Sequence, residues 1–329
     1  GIQVHTADLK VPAGKSLGVA PYDVDGDGWV DLAVANDTVP NFLLRNLGNG
    51  KFEEIGVERG LGLDSLGTAR GAMGIDWADF KGDGTLGLAI GNFANEMTAL
   101  YANDEPRSLR FTDMAPQYGL GAPTQPPLKF GLFFFDYDLD GRPDLLSTNG
   151  HLESDIAKVQ ASMTYAQSAQ LFWNSGVSGR SFYTLVPADV IGPDLYKPIV
   201  GRGSAYFDMD GDGDLDVVMT SNGGPALLFR NDGGSANHWV RLQLVGTKSN
   251  RDAIGAKVTL KAGGRTQSAQ HFPAKGYLSS VEGVLTFGLG RATRVDEVEI
   301  QWPSGKLTSL SDLEADKVHR LVEDSGDSG

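Results

Sequence analysis

Four copies of one short unit recur along the chain, and this repetition constrains the fold more than any other feature. The copies read LGVAPYDVDGDGWVDLAVAN, MGIDWADFKGDGTLGLAIGN, FGLFFFDYDLDGRPDLLSTN and RGSAYFDMDGDGDLDVVMTSN. In each copy a glycine precedes the first loop aspartate by five residues. Those aspartates are Asp23, Asp79, Asp136 and Asp208. Because one spacing is kept in every copy, we expect structurally equivalent units.

Each unit has the pattern of four short antiparallel strands. One apolar run leads into the acidic loop, a second follows it, and a third ends at an asparagine before a turn. These asparagines are Asn46, Asn103, Asn174 and Asn231. Four strands in about 55 residues are typical of a β-propeller blade. Residues 1–231 are therefore predicted to form four blades of an all-β protein.

The third unit is longer than the others, and the extra residues lie between Asp144 and Asn174. In this stretch, apolar residues recur at steps of four and three, which is the pattern of one helical face. They are Leu152, Ile156, Val159, Met163 and Ala166. We predict a helical insertion at 151–169. It would cap apolar surface or, alternatively, bind a partner or gate a substrate.

Three acidic loops follow the pattern D-x-D-x-D-G-x-x-D, and we number the four loops in chain order from their first aspartate. Carboxylates at positions 1, 3 and 5 converge when the loop curls, and the position 6 glycine permits the turn. Such crowded carboxylates repel one another unless a cation lies among them, and oxygen-rich coordination suits Ca²⁺. The predicted carboxylate ligands are Asp23, Asp25, Asp27, Asp31, Asp136, Asp138, Asp140, Asp144, Asp208, Asp210, Asp212 and Asp216. The backbone carbonyls of Trp29, Arg142 and Asp214 are predicted as additional ligands.

Two alternatives bear on these loops. An EF-hand requires an acidic residue at position 12, where this chain has Val34, Ser147 and Met219, and it requires flanking helices. Loop 2, DFKGDGTLG, carries Lys81 at position 3 and Gly87 at position 9. We expect loop 2 to bind no calcium, with the Lys81 ammonium lying between the carboxylates of Asp79 and Asp83.

The remaining residues have the pattern of a second, smaller domain. A polar linker is predicted at 232–237, a β-sandwich at 238–322 and a disordered tail at 323–329, because VEDSGDSG is acidic and poor in apolar residues. The sandwich strands are predicted at 239–245, 254–261, 295–301 and 317–322.

Together these motifs resemble a known protein family. The glycine followed by the acidic loop is similar to the FG-GAP (VCBS-type) repeats of integrin α-subunit propellers, over residues 1 to about 231. HWVRLQLVGTKSNRDAIGAKVTL, LTFGLG and VDEVEIQWPSGK resemble the ASPIC/UnbV domain that ends proteins of the cartilage acidic protein family. The resemblance implies a calcium-bound, seven-bladed propeller, secreted or at the cell surface, without established catalytic activity. Four blades would then be part of a propeller completed by a missing segment or another polypeptide.

The composition of the chain argues against several further classes of function. A formal net charge of −14, with 42 acidic against 28 basic residues, argues against nucleic-acid binding. No apolar stretch is long enough to span a membrane, and the chain contains no cysteine. We therefore expect an extracellular or cell-surface calcium-binding module, with a periplasmic location as an alternative. It would act as a protein or glycan interaction scaffold, or as a subunit of a larger assembly or filament.

The enzyme hypothesis is the second alternative, since propellers also carry lyases and hydrolases. The chain contains neither a G-x-S-x-G motif nor a P-loop. Its histidines are scattered, at His5, His151, His238, His271 and His319. His151, close to Glu153 and Asp155, is the best acid–base candidate, although a capping histidine is the preferred interpretation.

Overall fold

A computed structural model describes residues 13–179, 181–233 and 236–323. The chain is all-β, as predicted, with small antiparallel sheets in its first part and two main sheets and a two-stranded ladder in its second. The alternation of Ile2, Val4 and Thr6 in GIQVHTADL predicts the outer strand or exit of a preceding blade, and this segment lies outside the described residues. No helix among the described residues is both long and apolar enough to cross a membrane.

The first two blades each contain four antiparallel strands in sequence order. Blade 1 consists of β1 (Ser16–Tyr22), β2 (Asp31–Asn36), β3 (Phe42–Asn46) and β4 (Phe52–Glu54). Blade 2 consists of β5 (Ala72–Ala78), β6 (Gly87–Asn92), β7 (Ala99–Asn103) and β8 (Phe111–Asp113). A one-turn helix, α1 (Gly121–Thr124), follows blade 2.

The third blade has the same design, and the fourth has three strands among the described residues. Blade 3 consists of β9 (Lys129–Phe135), β10 (Asp144–Asn149), β11 (Gln170–Asn174) and β12 (Tyr183–Leu185). Blade 4 consists of β13 (Gly201–Phe207), β14 (Asp216–Ser221) and β15 (Leu227–Phe229). A helical turn, α3 (Ala188–Ile191), and a 3₁₀ turn (Asp194–Tyr196) connect these two blades.

The acidic loops occupy one equivalent place in all four blades. In each blade the last residue of the first strand pairs with the residue at loop position 9. The pairs are Tyr22 with Asp31, Ala78 with Gly87, Phe135 with Asp144, and Phe207 with Asp216. Each loop therefore connects the first and second strands of its own blade, which explains the constant spacing in the sequence.

The predicted helical insertion at 151–169 is wrong, apart from one turn, α2 (Ile156–Val159). The backbone N–H of His151 donates to the carbonyl of Tyr165 at 2.8 Å, so the segment closes on itself as a loop. Val159, expected on the apolar face, is 86% exposed, whereas Met163 is buried. A helix this short is not stable by itself, because nucleation fixes several residues for few hydrogen bonds.

The C-terminal domain is a sandwich of two main sheets. One sheet contains β21 (Leu285–Gly290), β16 (His238–Val245) and β24 (Lys317–Val322), and the other β18 (Arg265–Gln270), β17 (Lys257–Ala262), β22 (Arg294–Gln301) and β23 (Leu307–Glu314). A short ladder joins β19 (Ala274–Lys275) to β20 (Ser279–Ser280). The pairing of β16 with β24 is parallel, unlike the others. Trp302 is fully buried in this core, with its indole N–H donating to the Thr308 hydroxyl at 2.8 Å.

The predicted disordered tail is wrong at its first residue. Glu323 is fully buried, and its carboxylate accepts the backbone N–H groups of Thr247, Lys248 and Ser249 at 2.8–2.9 Å. The hydroxyl of Ser304 also donates to it. The acidic composition that suggested disorder instead supplies one carboxylate that anchors the end of β24. Residues 324–329 lie outside the described part of the chain.

The C-terminal domain contacts the inner strands of the blades. Gly276 forms an isolated bridge with Ile75 of β5. The ammonium of Lys275 lies 2.7 and 2.9 Å from the carboxylate oxygens of Asp76, which is buried. A buried carboxylate needs such a partner because desolvation of an unpaired charge is costly. The C-terminal domain therefore packs directly against the blades and is not connected to them by the linker alone.

Candidate calcium-binding loops

The aspartate at position 9 holds each complete loop to its blade. Its two carboxylate oxygens accept backbone N–H groups from loop position 2 and from the asparagine at or just beyond the end of the third strand. For Asp31 the donors are Val24 at 3.0 Å and Asn46 at 2.8 Å. Asp144 and Asp216 make the same pair of bonds, with Tyr137 and Asn174 and with Met209 and Asn231. The recurrent asparagine is thus part of the loop's support.

The aspartate at position 1 closes the turn. One carboxylate oxygen accepts the N–H of the position 6 glycine, at 2.8 to 3.2 Å. The pairs are Asp23 with Gly28, Asp136 with Gly141, and Asp208 with Gly213. These glycines have φ values of +97°, +86° and +97°, a conformation that other residues adopt only with strain. Turn and carboxylate are therefore specified together by the D-x-D-x-D-G pattern.

Three groups of carboxylates come within 4.8 Å of one another, one in each complete loop. They are Asp23, Asp25 and Asp27 in loop 1, Asp136, Asp138 and Asp144 in loop 3, and Asp208, Asp210 and Asp216 in loop 4. Three predicted ligands lie outside these groups: Asp31, at position 9 of loop 1, and Asp140 and Asp212, at position 5 of loops 3 and 4. Asp140 accepts a hydrogen bond from the guanidinium of Arg142, and Asp212 accepts the backbone N–H of Asp214 at 3.1 Å.

Loop 1 also shows an unsatisfied ligand atom. Asp23 is 3% exposed, and its Oδ1 atom has no hydrogen-bond partner among the described residues. An orphaned buried carboxylate oxygen is costly, and a hard cation is the group that satisfies it. The residues therefore fit calcium at this position.

Burial dominates the electrostatics of the loops. It raises the pKa of Asp31 to about 6, although the N–H groups of Asn46 and Val24 oppose the shift. Burial, followed by the charge of Asp138, raises the pKa of Asp140 to about 6. In loop 3, burial and neighbouring carboxylates raise the pKa of Asp136 and Asp144 far above the ordinary range. A bound cation would favour the ionised form of all of them.

Two basic side chains of the blades contact loop carboxylates that were not expected to have such partners. The guanidinium of Arg45, on β3, lies 2.9 Å from Oδ2 of Asp25. Arg142 was predicted to contribute a carbonyl, but its side chain also pairs with Asp140 and donates to the carbonyl of Asn174 at 2.8 Å. A basic residue directly before the third-strand asparagine was the available signal for Arg45.

Comparison with known proteins finds a family match within each part of the chain. Residues 23–90 match the FG-GAP-like repeat family, and residues 246–328 match the ASPIC and UnbV family. The chain is 28% identical to cartilage acidic protein 1 of Mus musculus over 321 residues, which cover 95% of the chain and 45% of that protein. Identity to the Homo sapiens protein is 26%, over 91% of the chain and 42% of that protein.

The chain is a homologue of cartilage acidic protein 1. The resemblance of the motifs to the FG-GAP repeats and the ASPIC/UnbV domain is thereby confirmed. The chain spans less than half the length of the relatives it matches. Among solved structures, it is similar to a Bombyx mori β-fructofuranosidase, with a TM-score of 0.40 and 9% identity over 92% of the chain and 76% of that enzyme. It is also similar to the Dos1 propeller, with a TM-score of 0.33 and 10% identity over 94% of the chain and 71% of that structure.

Loop 2 also lies within the FG-GAP-like match, but its chemistry differs from that of the three complete loops. Both carboxylate oxygens of Asp79 accept backbone N–H groups, from Gly82, Asp83 and Gly84 at 2.9 to 3.2 Å. The predicted position of the Lys81 ammonium is wrong, because it lies 5.7 Å from the centre of the Phe80 ring. None of the three carboxylate groups within the described residues belongs to loop 2.

The replacement of aspartate by Gly87 has a steric reason. A Cβ atom at Gly87 would lie 2.3 Å from the ring of Phe80. Phe80, at position 2, is 1% exposed and packs against four aromatic rings. These rings belong to Tyr118, Phe134, Phe182 and Tyr183. In loop 2 an aromatic cluster between blades has replaced the position 9 carboxylate.

The acid–base candidate His151 has a structural role. It is 3% exposed, and its Nδ1 accepts the backbone N–H of Glu153 at 3.0 Å. Its ring packs against Phe93 at 5.7 Å, and burial lowers the pKa of His151. The contacts are those of a capping histidine, which was the preferred interpretation of the sequence.

Proposed function

We propose that this chain is a calcium-binding interaction module that works outside the cell or at the cell surface. The unsatisfied, buried Oδ1 of Asp23 is the observation that carries the proposal. Calcium would be held by the grouped carboxylates of loops 1, 3 and 4, with help from the position 7 carbonyls. It would supply the positive charge that allows these carboxylates to remain ionised and close together.

The decisive experiment compares two charge-neutralising variants by calorimetric calcium titration. Asp23→Asn removes the charge of a predicted ligand with little change in shape, and we expect it to lose one calcium site. Asp83→Asn makes the same change in loop 2, where Asp83 accepts the N–H of Thr85 at 2.9 Å, and we expect its calcium stoichiometry to match the original protein. Absence of calcium binding by the original protein, or equal stoichiometry of both variants, would contradict the proposal.

We also propose that other polypeptide completes the propeller and that the scaffold binds protein or glycan. Two apolar residues on the blades support this. Val19 on β1 is 48% exposed and Leu228 on β15 is 51% exposed. Among the described residues, β1 and β15 are edge strands of their sheets, and a strand edge with apolar residues favours pairing with another strand. We expect the isolated chain to self-associate or bind a hydrophobic dye in native mass and fluorescence measurements, and a dye-free monomer would contradict this.

A further inference from the structure

The C-terminal domain lies directly over the first aspartate of every complete loop. Lys257, on β17, forms an ion pair with Asp23 of loop 1. Arg241, on β16, forms an ion pair with Asp208 of loop 4. In loop 3 the neighbour is the backbone of Gly288, where a Cβ atom would lie 2.1 Å from Oδ2 of Asp136. One domain therefore meets the same loop position three times, with different chemistry each time.

In loop 1 the two carboxylate oxygens of Asp23 have different surroundings. Oδ2 receives the ammonium of Lys257 and the N–H of Gly28, while Oδ1 is buried without a partner. Gln270 fixes the backbone on both sides, because its amide accepts from the N–H of Asp23 at 2.9 Å and donates to its carbonyl at 3.1 Å. The ammonium is thus held next to the oxygen that a cation would use.

Loop 4 differs because the charge of Arg241 is already balanced. Its guanidinium bridges Asp208 and Glu282, and Glu282 also accepts the N–H of Asp208 at 3.2 Å. In loop 3, no basic side chain of the C-terminal domain reaches the Asp136 carboxylate among the described residues. Arg265 donates instead to the backbone carbonyl of Asp140 at 2.6 Å. Within the part of the chain that the structure describes, loop 1 is the only complete loop whose first aspartate pairs with a basic side chain that has no second acidic partner.

We propose that Lys257 sets the calcium affinity of loop 1, acting from the C-terminal domain as a competing counter-ion on Asp23. The inference rests on the proposed calcium binding. An ammonium and a divalent cation on the two oxygens of one carboxylate repel each other, so each weakens the binding of the other. By linkage, calcium in loop 1 loosens the tie between the domains to the same extent that docking weakens calcium binding.

The test measures the affinity of loop 1 in Lys257→Met. Trp29 occupies position 7 of loop 1 and is 51% exposed, so it can sensitise the luminescence of Tb³⁺ bound there in place of calcium. Trp29→Phe identifies the loop 1 signal by removing it, and calcium displacement of Tb³⁺ then gives the affinity. We expect Lys257→Met to bind calcium about tenfold more tightly, and Lys257→Arg to keep the original affinity.

The matched control is Lys261→Met, on the same strand. Lys261 is exposed and pairs with Glu297 at 2.8 Å, away from the loops. We expect no change in its loop 1 affinity. If Lys257→Met matches Lys261→Met or binds more weakly, the role of Lys257 is wrong while calcium binding stands. If the original protein shows no Trp29-sensitised signal that calcium displaces, calcium binding in loop 1 itself is wrong. Circular dichroism establishes that each variant is folded, and Lys257→Gln replaces the methionine variant if needed.

Discussion

Loops 1 and 2 are neighbouring copies of one unit, yet the carboxylate oxygens of their first aspartates have different hydrogen-bond partners. Loop 1 keeps Asp31 at position 9 and leaves an oxygen of Asp23 unsatisfied. Loop 2 has Gly87 at position 9, and backbone N–H groups satisfy both oxygens of Asp79. Backbone N–H groups alone therefore close the turn of loop 2, whereas loop 1 leaves one buried carboxylate oxygen available to a cation.

Removal of calcium is expected to have the largest effect, because the complete loops would lose an ion and loop 2 would not. Each occupied site stabilises the folded chain by about 2.7 kcal/mol when calcium is at 100 times its dissociation constant. We expect a chelator to lower the melting temperature strongly, with calcium restoring it and equal magnesium restoring less. An unchanged melting temperature would show that the loops are stable without an ion.

The next effect tests the packing of loop 2. Phe80→Ala removes a buried ring from an aromatic cluster and should cost about 3–5 kcal/mol of unfolding free energy. The equivalent change in loop 4 is Met209→Ala, where the side chain is 42% exposed, and we expect a loss within about 0.5 kcal/mol. Both values should be the same with and without chelator in denaturant unfolding. Equal costs for the two variants would contradict the assignment of Phe80 to the core.

A smaller effect concerns a buried carboxylate that needs no cation. Burial alone would raise the pKa of Glu323, but hydrogen bonds from the Ser304 hydroxyl and from three backbone N–H groups lower this pKa to about 2. Glu323→Gln should therefore cost about 1.5–3 kcal/mol at neutral pH. Glu314→Gln, at an exposed ion pair with Lys317, is the control and should change little.

The pH dependence of this difference has a definite sign. Because the pKa of Glu323 is lower in the folded chain than its ordinary value of 4.5, its contribution is complete above that pH. It is lost as the pH falls toward 2. Thermal unfolding of the original protein and Glu323→Gln should converge over this window, and a constant difference would show that the carboxylate charge is irrelevant.

The blades and loops were predictable because their signals are local. The glycine, the alternating aspartates and the terminal asparagine recur at constant spacing, and the same strand pair carries each loop. The helix at 151–169 failed because periodicity alone ignored the bond between His151 and Tyr165 that closes the segment. The pairing of Lys257 with Asp23 joins residues 234 positions apart, and nothing in either neighbourhood indicates the other.

The calcium content of the chain tests the central claim most directly. After dialysis against about 10 mM calcium, at least tenfold above the dissociation constants of about 0.1–1 mM that are typical of extracellular sites, metal and protein are measured in the same sample and the calcium of the dialysate is subtracted. We predict three calcium ions per chain, and still three after Lys81→Met, because loop 2 lacks the position 9 carboxylate. A fourth ion in the original protein, or none in loops 1, 3 and 4, would contradict the claim that the complete carboxylate set distinguishes a calcium loop from its packed copy.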